Sequence, residues 1–380
     1  MTNLVDLQCT SCNKKFDANH VQTLCTCGKV LFANYDIEKT KETLTKDLQN
    51  RSHNIWRMHE IMPCNSRYQY SLGEGYTPII NLNDDFNITL KHEGYNPTGT
   101  FKSRGLCAAV SKSVELGITD FVIPTAGNAG AALAAYCAYT KTNAHVFMPS
   151  DTPQTIKSEV HAFGAELVLV DGLISDAGKI AKQNSITFGW HDVSTLKEPY
   201  RVEGKKTMGL EIAEQLNWEV PDVIIYPTGG GTGIIGIHKA FNELEKIGFI
   251  DSKRPRMVAV QSSTCAPIVD AFNNKQEEAI PWENASTIAP GLRVPVAIGD
   301  YLILKTIYQT SGTAISVPDE EIIYAMKQLA KTNGIALAPE AAATYAAVKH
   351  LKNDGWLDRD EITLLLATGS GLTTPELWNY

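Results

Sequence analysis

Twice in this chain a short apolar run breaks into a turn of small residues that leads straight into a helical pattern. The first is Phe121-Val-Ile-Pro-Thr-Ala-Gly-Asn-Ala-Gly130 and the second is Val223-Ile-Ile-Tyr-Pro-Thr-Gly-Gly-Gly-Thr-Gly233. Runs this short and mostly apolar suit strands. Similar runs at 144–148, 166–170, 256–260 and 362–367 alternate with helical patterns at 129–139, 155–163, 207–216, 233–244, 318–332 and 340–352. The fold class is therefore an open α/β arrangement, with ligands expected beyond the carboxyl ends of the strands.

Glycines let backbone N–H groups converge on an anion, and a helix start adds the positive end of its dipole. Gly229-Gly-Gly-Thr-Gly233 reads on that basis as a phosphate cradle, and equally as a tight strand-to-helix turn. It is not a Walker A loop, which needs Lys followed by Ser or Thr after its glycines. Gly231-Thr-Gly233-Ile-Ile-Gly236 has dinucleotide spacing, but the next strand, 256–260, runs into Gln261 and offers no acidic residue for a ribose. A third loop carries a lysine. Asn96-Pro-Thr-Gly99 has turn composition, and the apolar stretch 106–110 puts a helix start near Thr100. Lys102 thus stands at a loop-to-helix junction, either as a solvated first-turn cation or as an amine that forms a Schiff base with pyridoxal phosphate.

Five segments follow one another in order: Leu72-Gly-Glu-Gly-Tyr-Thr-Pro78, Asn96-Pro-Thr-Gly-Thr-Phe-Lys-Ser-Arg-Gly105, Thr125-Ala-Gly-Asn128, Gly229 to Gly233, and Ala367-Thr-Gly-Ser-Gly371. Over residues 70 to 372 this array resembles the fold type II family of pyridoxal-phosphate enzymes, and within it the threonine synthases. The resemblance implies two open α/β domains with the active site in the cleft, and a homodimer. The large domain would comprise 36–109 and 196–380, and a small mobile domain, 110–195, would close over a small amino-acid substrate. It implies Lys102 as the catalytic and cofactor-bearing lysine, and Asn128 on the ring hydroxyl oxygen. Gly229, Gly230, Gly231, Thr232 and Gly233 would bind the phosphate, and Thr368 the ring nitrogen. A neutral Thr368 hydroxyl leaves that nitrogen largely unprotonated. Lys102 would act as general base at Cα, for which its pKa must be lowered by burial or a neighbouring cation.

The segment Glu198-Pro-Tyr-Arg-Val-Glu-Gly-Lys-Lys-Thr207 resembles the synthase version of its region. The implied reaction converts O-phosphohomoserine and water to threonine and phosphate. Its second anion needs a cation, for which Lys157, Arg201, Lys205 and Lys206 are candidates. Arg201 leads because a guanidinium clamps phosphate or carboxylate bidentately; Lys205 and Lys206 read equally as surface cations. Three positions depart from the family pattern: Ser103 stands for an aspartate, Ala126 for a serine and Ser370 for a histidine. Residues 148–157 have a dehydratase-like flavour. A threonine or serine dehydratase, or another β-elimination or replacement enzyme, therefore stays open as the alternative. A noncatalytic metabolite-binding protein on this scaffold would have no need of the reactive lysine.

Residues 1–35 read as a separate cysteine-bearing, zinc-ribbon-like module. Cys9, Cys12, Cys25 and Cys27 form a Cys-x-x-Cys pair and a shorter Cys-x-Cys pair, which either hold a structural zinc or stay reduced and unligated. His20 lies between the pairs as a possible substitute ligand. Residues 36–65 read as a charged helical connector ending at Pro63. With Lys+Arg 34 against Asp+Glu 42, a net charge of -8 and no basic run, nucleic acid is not an expected partner. No stretch reaches 18 uninterrupted apolar residues, and Met-Thr-Asn-Leu-Val-Asp lacks the features of a signal peptide, so no membrane association and a cytoplasmic location are expected. That compartment suits Cys64, Cys107, Cys137 and Cys265 as reduced core thiols. In the proline-rich loop 287–295, Arg293 reads either as a site residue or as packing, and Glu340 as a helix-start carboxylate.

Overall fold

The apolar runs form strands where the sequence puts them. In the computed structural model, which describes residues 1–172 and 174–378, they belong to two units. The first gathers 1–76, 96–98 and 102–207; the second gathers 77–95, 99–101 and 208 onward.

The second unit is built on a six-stranded sheet ordered Thr313–Val317, Arg256–Ser262, Val223–Pro227, Thr363–Ala367, Ile88–His92, Ile79–Asn81. The first five strands are parallel and the last is an antiparallel edge. Every residue of Val223–Pro227 and Thr363–Ala367 is buried, which is why both read as unbroken apolar runs. Val223, Ile225, Val258, Val260 and Leu365 share one core with Ala341, Ala342, Ala343, Ala346 and Ala347 of the helix Pro339–Asn353. The alanines let that helix approach the sheet closely, and each large aliphatic side chain buried there contributes about 1.5–3 kcal/mol.

The first unit has a parallel sheet ordered Glu166–Val170, Asn143–Pro149, Asp120–Pro124, His191–Asp192. A separate antiparallel sheet, Lys15–Phe16, Leu4–Cys9, Leu31–Tyr35, forms the cysteine module. The helix Lys102–Glu115 packs on Asn128–Thr140 through Leu106, Cys107, Ala108 and Val110 against Ala131, Ala132 and Tyr136. This packing places 102–109 with the smaller α/β sheet. Residues 36–76 and 196–207 also group there, whereas the family resemblance implies a place for these stretches in the large domain.

The connector 36–65 differs from the helix expected of it. Only Ile37–Thr43, capped by Asp36, is α-helical, and a 3-10 segment follows at Ile55–Ile61. Short polar side chains between them compete for the backbone: Asp47 accepts from Gln49 N–H at 3.2 Å and Asn54 from Trp56 N–H at 3.0 Å. Cys64, Cys107, Cys137 and Cys265 are buried free thiols. Among the described residues no helix is long and apolar enough to cross a membrane.

Candidate active site

Lys102 is the first residue of its helix and is partly exposed, whereas the helix behind it is buried from Ser103 to Ser113. The three residues before it are sewn into the second unit. Ser370 N–H donates to Gly99 C=O and Phe101 N–H to Thr368 C=O, both at 2.9 Å, with Thr100 bridged to Gly369 between them. The backbone entering Lys102 is thereby tied to the segment carrying Thr368. Just ahead, Thr98 holds a left-handed φ of 59°, an unusual conformation for a β-branched residue. Ser103 accounts for it: its hydroxyl donates to Pro97 C=O and lies 3.1 Å from Thr98 Oγ1. An ionised aspartate has no proton to donate, so the serine supplies this tie in its own way. Ser370 also has a structural task, accepting Leu372 N–H at the start of the 3-10 turn Gly371–Thr373.

Asn128 opens the helix Asn128–Thr140 directly after a turn in which Thr125 Oγ1 accepts Gly127 N–H at 3.1 Å. Its side-chain oxygen is buried and has no hydrogen-bond partner among the described residues. A buried amide oxygen left alone costs about 1–3 kcal/mol, which a ligand group would recover.

In the second unit the glycine loop follows Val223–Pro227 and Thr368 follows Thr363–Ala367. These strands pair directly, so both loops open at the same carboxyl end of the sheet. Three of the glycines are required by close packing. A Cβ on Gly229 would stand 2.1 Å from Gly291 C=O, one on Gly231 2.2 Å from Ile303, and one on Gly233 1.8 Å from the Tyr226 hydroxyl. Gly231 also has φ +75 and caps the helix Thr232–Ile247 without a side chain. Ile235 N–H donates to Gly231 C=O at 3.1 Å, and the amides ahead of it have no acceptor within the helix. Loop 287–294 backs this turn: Asp319 holds Thr287 and Ile288, and Glu340 accepts Gly291 N–H at 2.7 Å. Within the second unit the helix-start amides suit an anion, and within the first the Asn128 oxygen is free to accept from a hydroxyl.

The cations are not where a surface reading puts them. Lys205 and Lys206 are fully buried, and Lys206 pairs with Glu203 at 2.5 Å. Lys157 donates to Ser150 C=O at 3.1 Å, closing its own loop. Arg201, 1% exposed, donates through Nη1 to Val193 C=O at 2.7 Å, while its Nε is buried with no partner among the described residues.

Sequence patterns missed how Arg201 is held. Glu198 accepts the N–H groups of Tyr200 and Arg201 at 2.7 and 2.8 Å, capping the helix Arg201–Gln215. An acid just before Pro199 and a helix start is the signal that could have found it. One turn into that helix, Gly204 lies against the other helix: a Cβ there would sit 2.0 Å from Arg104 C=O. Gly105 in turn lies against Lys205 and Arg201 C=O, and Arg104 donates to Thr207 Oγ1 at 2.9 Å. The helices begun by Lys102 and Arg201 therefore cross backbone to backbone, each one turn from its first residue.

Burial pushes the Glu198 carboxyl up to about 7, against the pull of the Tyr200 and Arg201 amides. A carboxyl raised above its unfolded value of 4.5 gives its full stability below that pH and loses it as pH climbs towards 7. Wild-type protein is expected to lose roughly 3 kcal/mol relative to Glu198→Gln across that window. Denaturant titrations at pH 4.5 and 7.5 check it, and parallel pH profiles of the two proteins would refute it.

The four module cysteines converge. Their sulfurs all lie within 4.8 Å of one another, with Cys9–Cys27 and Cys12–Cys25 both at 3.5 Å. The Cys9 sulfur accepts N–H from Ser11 and Cys12 at 3.5 and 3.4 Å, and Gly28, φ +82, turns the second pair. His20 takes no part and pairs with Asp17 on the surface.

Comparison with known proteins gives the family. The family model described as pyridoxal-phosphate dependent enzyme matches residues 70–369. A threonine synthase of Methanocaldococcus jannaschii is 35% identical over 378 residues, covering 97% of this chain and 93% of its own. One from Methanosarcina acetivorans is 33% identical over 378 residues, covering 97% and 92%. Among solved structures, maize serine racemase superposes with a TM-score of 0.68 at 21% identity, over 80% of this chain and 90% of that one, a likeness of fold alone.

Proposed function

We propose, from the premise that the chain belongs to the fold type II family of pyridoxal-phosphate-dependent enzymes and to its threonine synthase branch, that it converts O-phosphohomoserine and water to threonine and phosphate in the cytoplasm. The observation that carries this reading is likeness to threonine synthases over nearly the whole chain, cysteine module included. The buried, partnerless Arg201 Nε supports it, because a guanidinium kept from water is a strong site for a substrate anion.

Pyridoxal phosphate, when bound, draws electrons from the substrate Cα and makes its proton removable. Lys102 would carry the cofactor through its Nζ, and Asn128 would meet the ring hydroxyl with its unsatisfied amide. The amides of Gly229, Gly230, Gly231, Thr232 and Gly233 would hold the phosphate, and the Thr368 hydroxyl would face the ring nitrogen. Lys102 would take the proton from Cα and a second proton would leave Cβ as phosphate departs from Cγ; protons returned to Cγ and Cα, with the hydroxyl of water added at Cβ and its proton passing to the phosphate, complete threonine. Arg201, with Lys157 as the weaker candidate, holds the substrate anion through these steps. Cys9, Cys12, Cys25 and Cys27 would bind a structural zinc, whose sulfur–sulfur edge in a tetrahedral site is about 3.8 Å for Zn–S bonds of about 2.3 Å. Their spacing suits it.

Purified protein given O-phosphohomoserine should release phosphate and threonine in equal amounts. Arg201→Ala is expected to raise KM for that substrate by about tenfold to a hundredfold while leaving the cofactor's absorbance unchanged. Ammonia and a keto acid from threonine or serine, with no phosphate released, would give the assignment to the dehydratase alternative.

A further inference from the structure

The buried pair at the start of the Arg201 helix is fastened to the cysteine module. Glu203 Oε2 accepts the Tyr35 hydroxyl at 2.8 Å and Lys206 Nζ at 2.5 Å. Lys206 Nζ also donates to Ile61 C=O at 2.6 Å and stands 4.2 Å from the centre of the Tyr35 ring. The Glu203 and Lys206 side chains are both 0% exposed. Tyr35 ends the strand Leu31–Tyr35, whose other end pairs with Cys9 through Leu31, and Tyr35 itself pairs with Leu4. The module is also fixed beside Ile61, where Thr2 donates to Met62 C=O at 2.5 Å and Asn3 N–H to Glu60 C=O at 2.8 Å. One strand pair thus has the four sulfurs at one end and the Tyr35 contact at the other.

The phenol is well placed to act on a helix start. A buried carboxylate needs its charge balanced and its oxygens bonded, and Glu203 lies two residues after Arg201, in the first helical turn. Moving Glu203 moves Gly204, which has no room against Arg104 C=O, and so displaces the turn that presents Arg201. We propose that Tyr35 is a positioning residue: it holds Glu203 and the first turn of the Arg201 helix, so that the four-thiolate end of the module, when it binds zinc, sets how firmly Arg201 is held. The role rests on the reading of Arg201 as the substrate-anion residue. It also gives the module a part in the reaction without any contact with substrate.

The test uses the full chain with zinc as the probe metal, and hydrogen exchange read by mass spectrometry over residues 201–207. Stripping zinc from wild-type protein should speed exchange there about tenfold, the scale of one hydrogen bond to a charged group. Tyr35→Phe keeps the ring beneath Lys206 but removes the hydroxyl; it should exchange at the fast rate with or without zinc, while its peptides over 4–35 stay protected by zinc. In turnover, Tyr35→Phe should raise KM for O-phosphohomoserine about tenfold with kcat within about twofold of wild type, a split that plain loss of stability does not produce. Exchange over 201–207 that is the same in wild type and Tyr35→Phe, or the same with and without zinc, overturns the proposal whatever the substrate. Zinc- and Tyr35-dependent exchange in a protein that releases no phosphate from O-phosphohomoserine would sink the substrate assignment alone and leave the positioning role standing.

Discussion

Replacing Lys102 by alanine should abolish turnover, with kcat lowered by at least about a thousandfold, while pyridoxal phosphate should still bind without a covalent link. That size is what losing the two roles proposed for one atom would give, the covalent hold on the cofactor and the proton acceptor at the substrate's Cα. Three other buried lysines are already engaged. Lys91 is spent on Glu211 and Thr77 C=O, Lys206 on Glu203 and Ile61 C=O, and Lys239 on Glu243. An ammonium fixed to a buried carboxylate cannot condense with an aldehyde. Borohydride treatment of wild-type protein followed by peptide mass mapping locates the cofactor. Its mass should stay on the peptide containing Lys102, and recovery on another lysine would refute the assignment.

Gly204→Ala should destabilise the fold by about 3 kcal/mol, the upper end of ordinary overpacking. The methyl would have to enter space 2.0 Å from Arg104 C=O and 2.8 Å from Gly105 Cα, where the obstruction is backbone and cannot swing aside. An exposed mid-helix glycine would instead gain stability from alanine. Denaturant midpoints distinguish the two. Because the same crossing sets the starts of the Lys102 and Arg201 helices, residual folded protein should also show a raised KM. Unchanged stability would mean that the crossing is looser than the structure shows.

Strands buried on both faces were legible in the sequence because their apolar runs have no competing pattern, and Val223–Pro227 and Thr363–Ala367 lie within a residue of where those runs put them. Ile88–His92 was harder to see. It is wholly buried but contains Lys91, whose partners Glu211 and Gln215 lie on a helix far along the chain. The same blindness affected Lys205 and Lys206. Two adjacent lysines near a helix start look solvated unless one knows that Tyr35 supplies a phenol to their helix from the other end of the unit's chain. The glycine loop was legible as a turn through its composition, since a glycine run after a strand marks a tight passage into the next element. The packing of Gly229, Gly231 and Gly233 against Gly291, Ile303 and Tyr226 shows that a tight turn demands those glycines. The helical connector failed for a local reason, because Asp47 and Asn54 hold their own backbone neighbours more effectively than a helix would.

The ties from Gly99 and Phe101 to Ser370 and Thr368 set a schedule for biosynthesis. The loop entering Lys102 leaves the ribosome early, yet the strand end that fixes it is made only after well over half the chain has followed. At about 5–20 residues per second, that loop waits on the order of tens of seconds for its partner. The growing chain therefore carries Lys102 in an unfinished setting, and a ribosome stalled before residue 368 holds a nascent protein whose Lys102 loop has not yet been fastened.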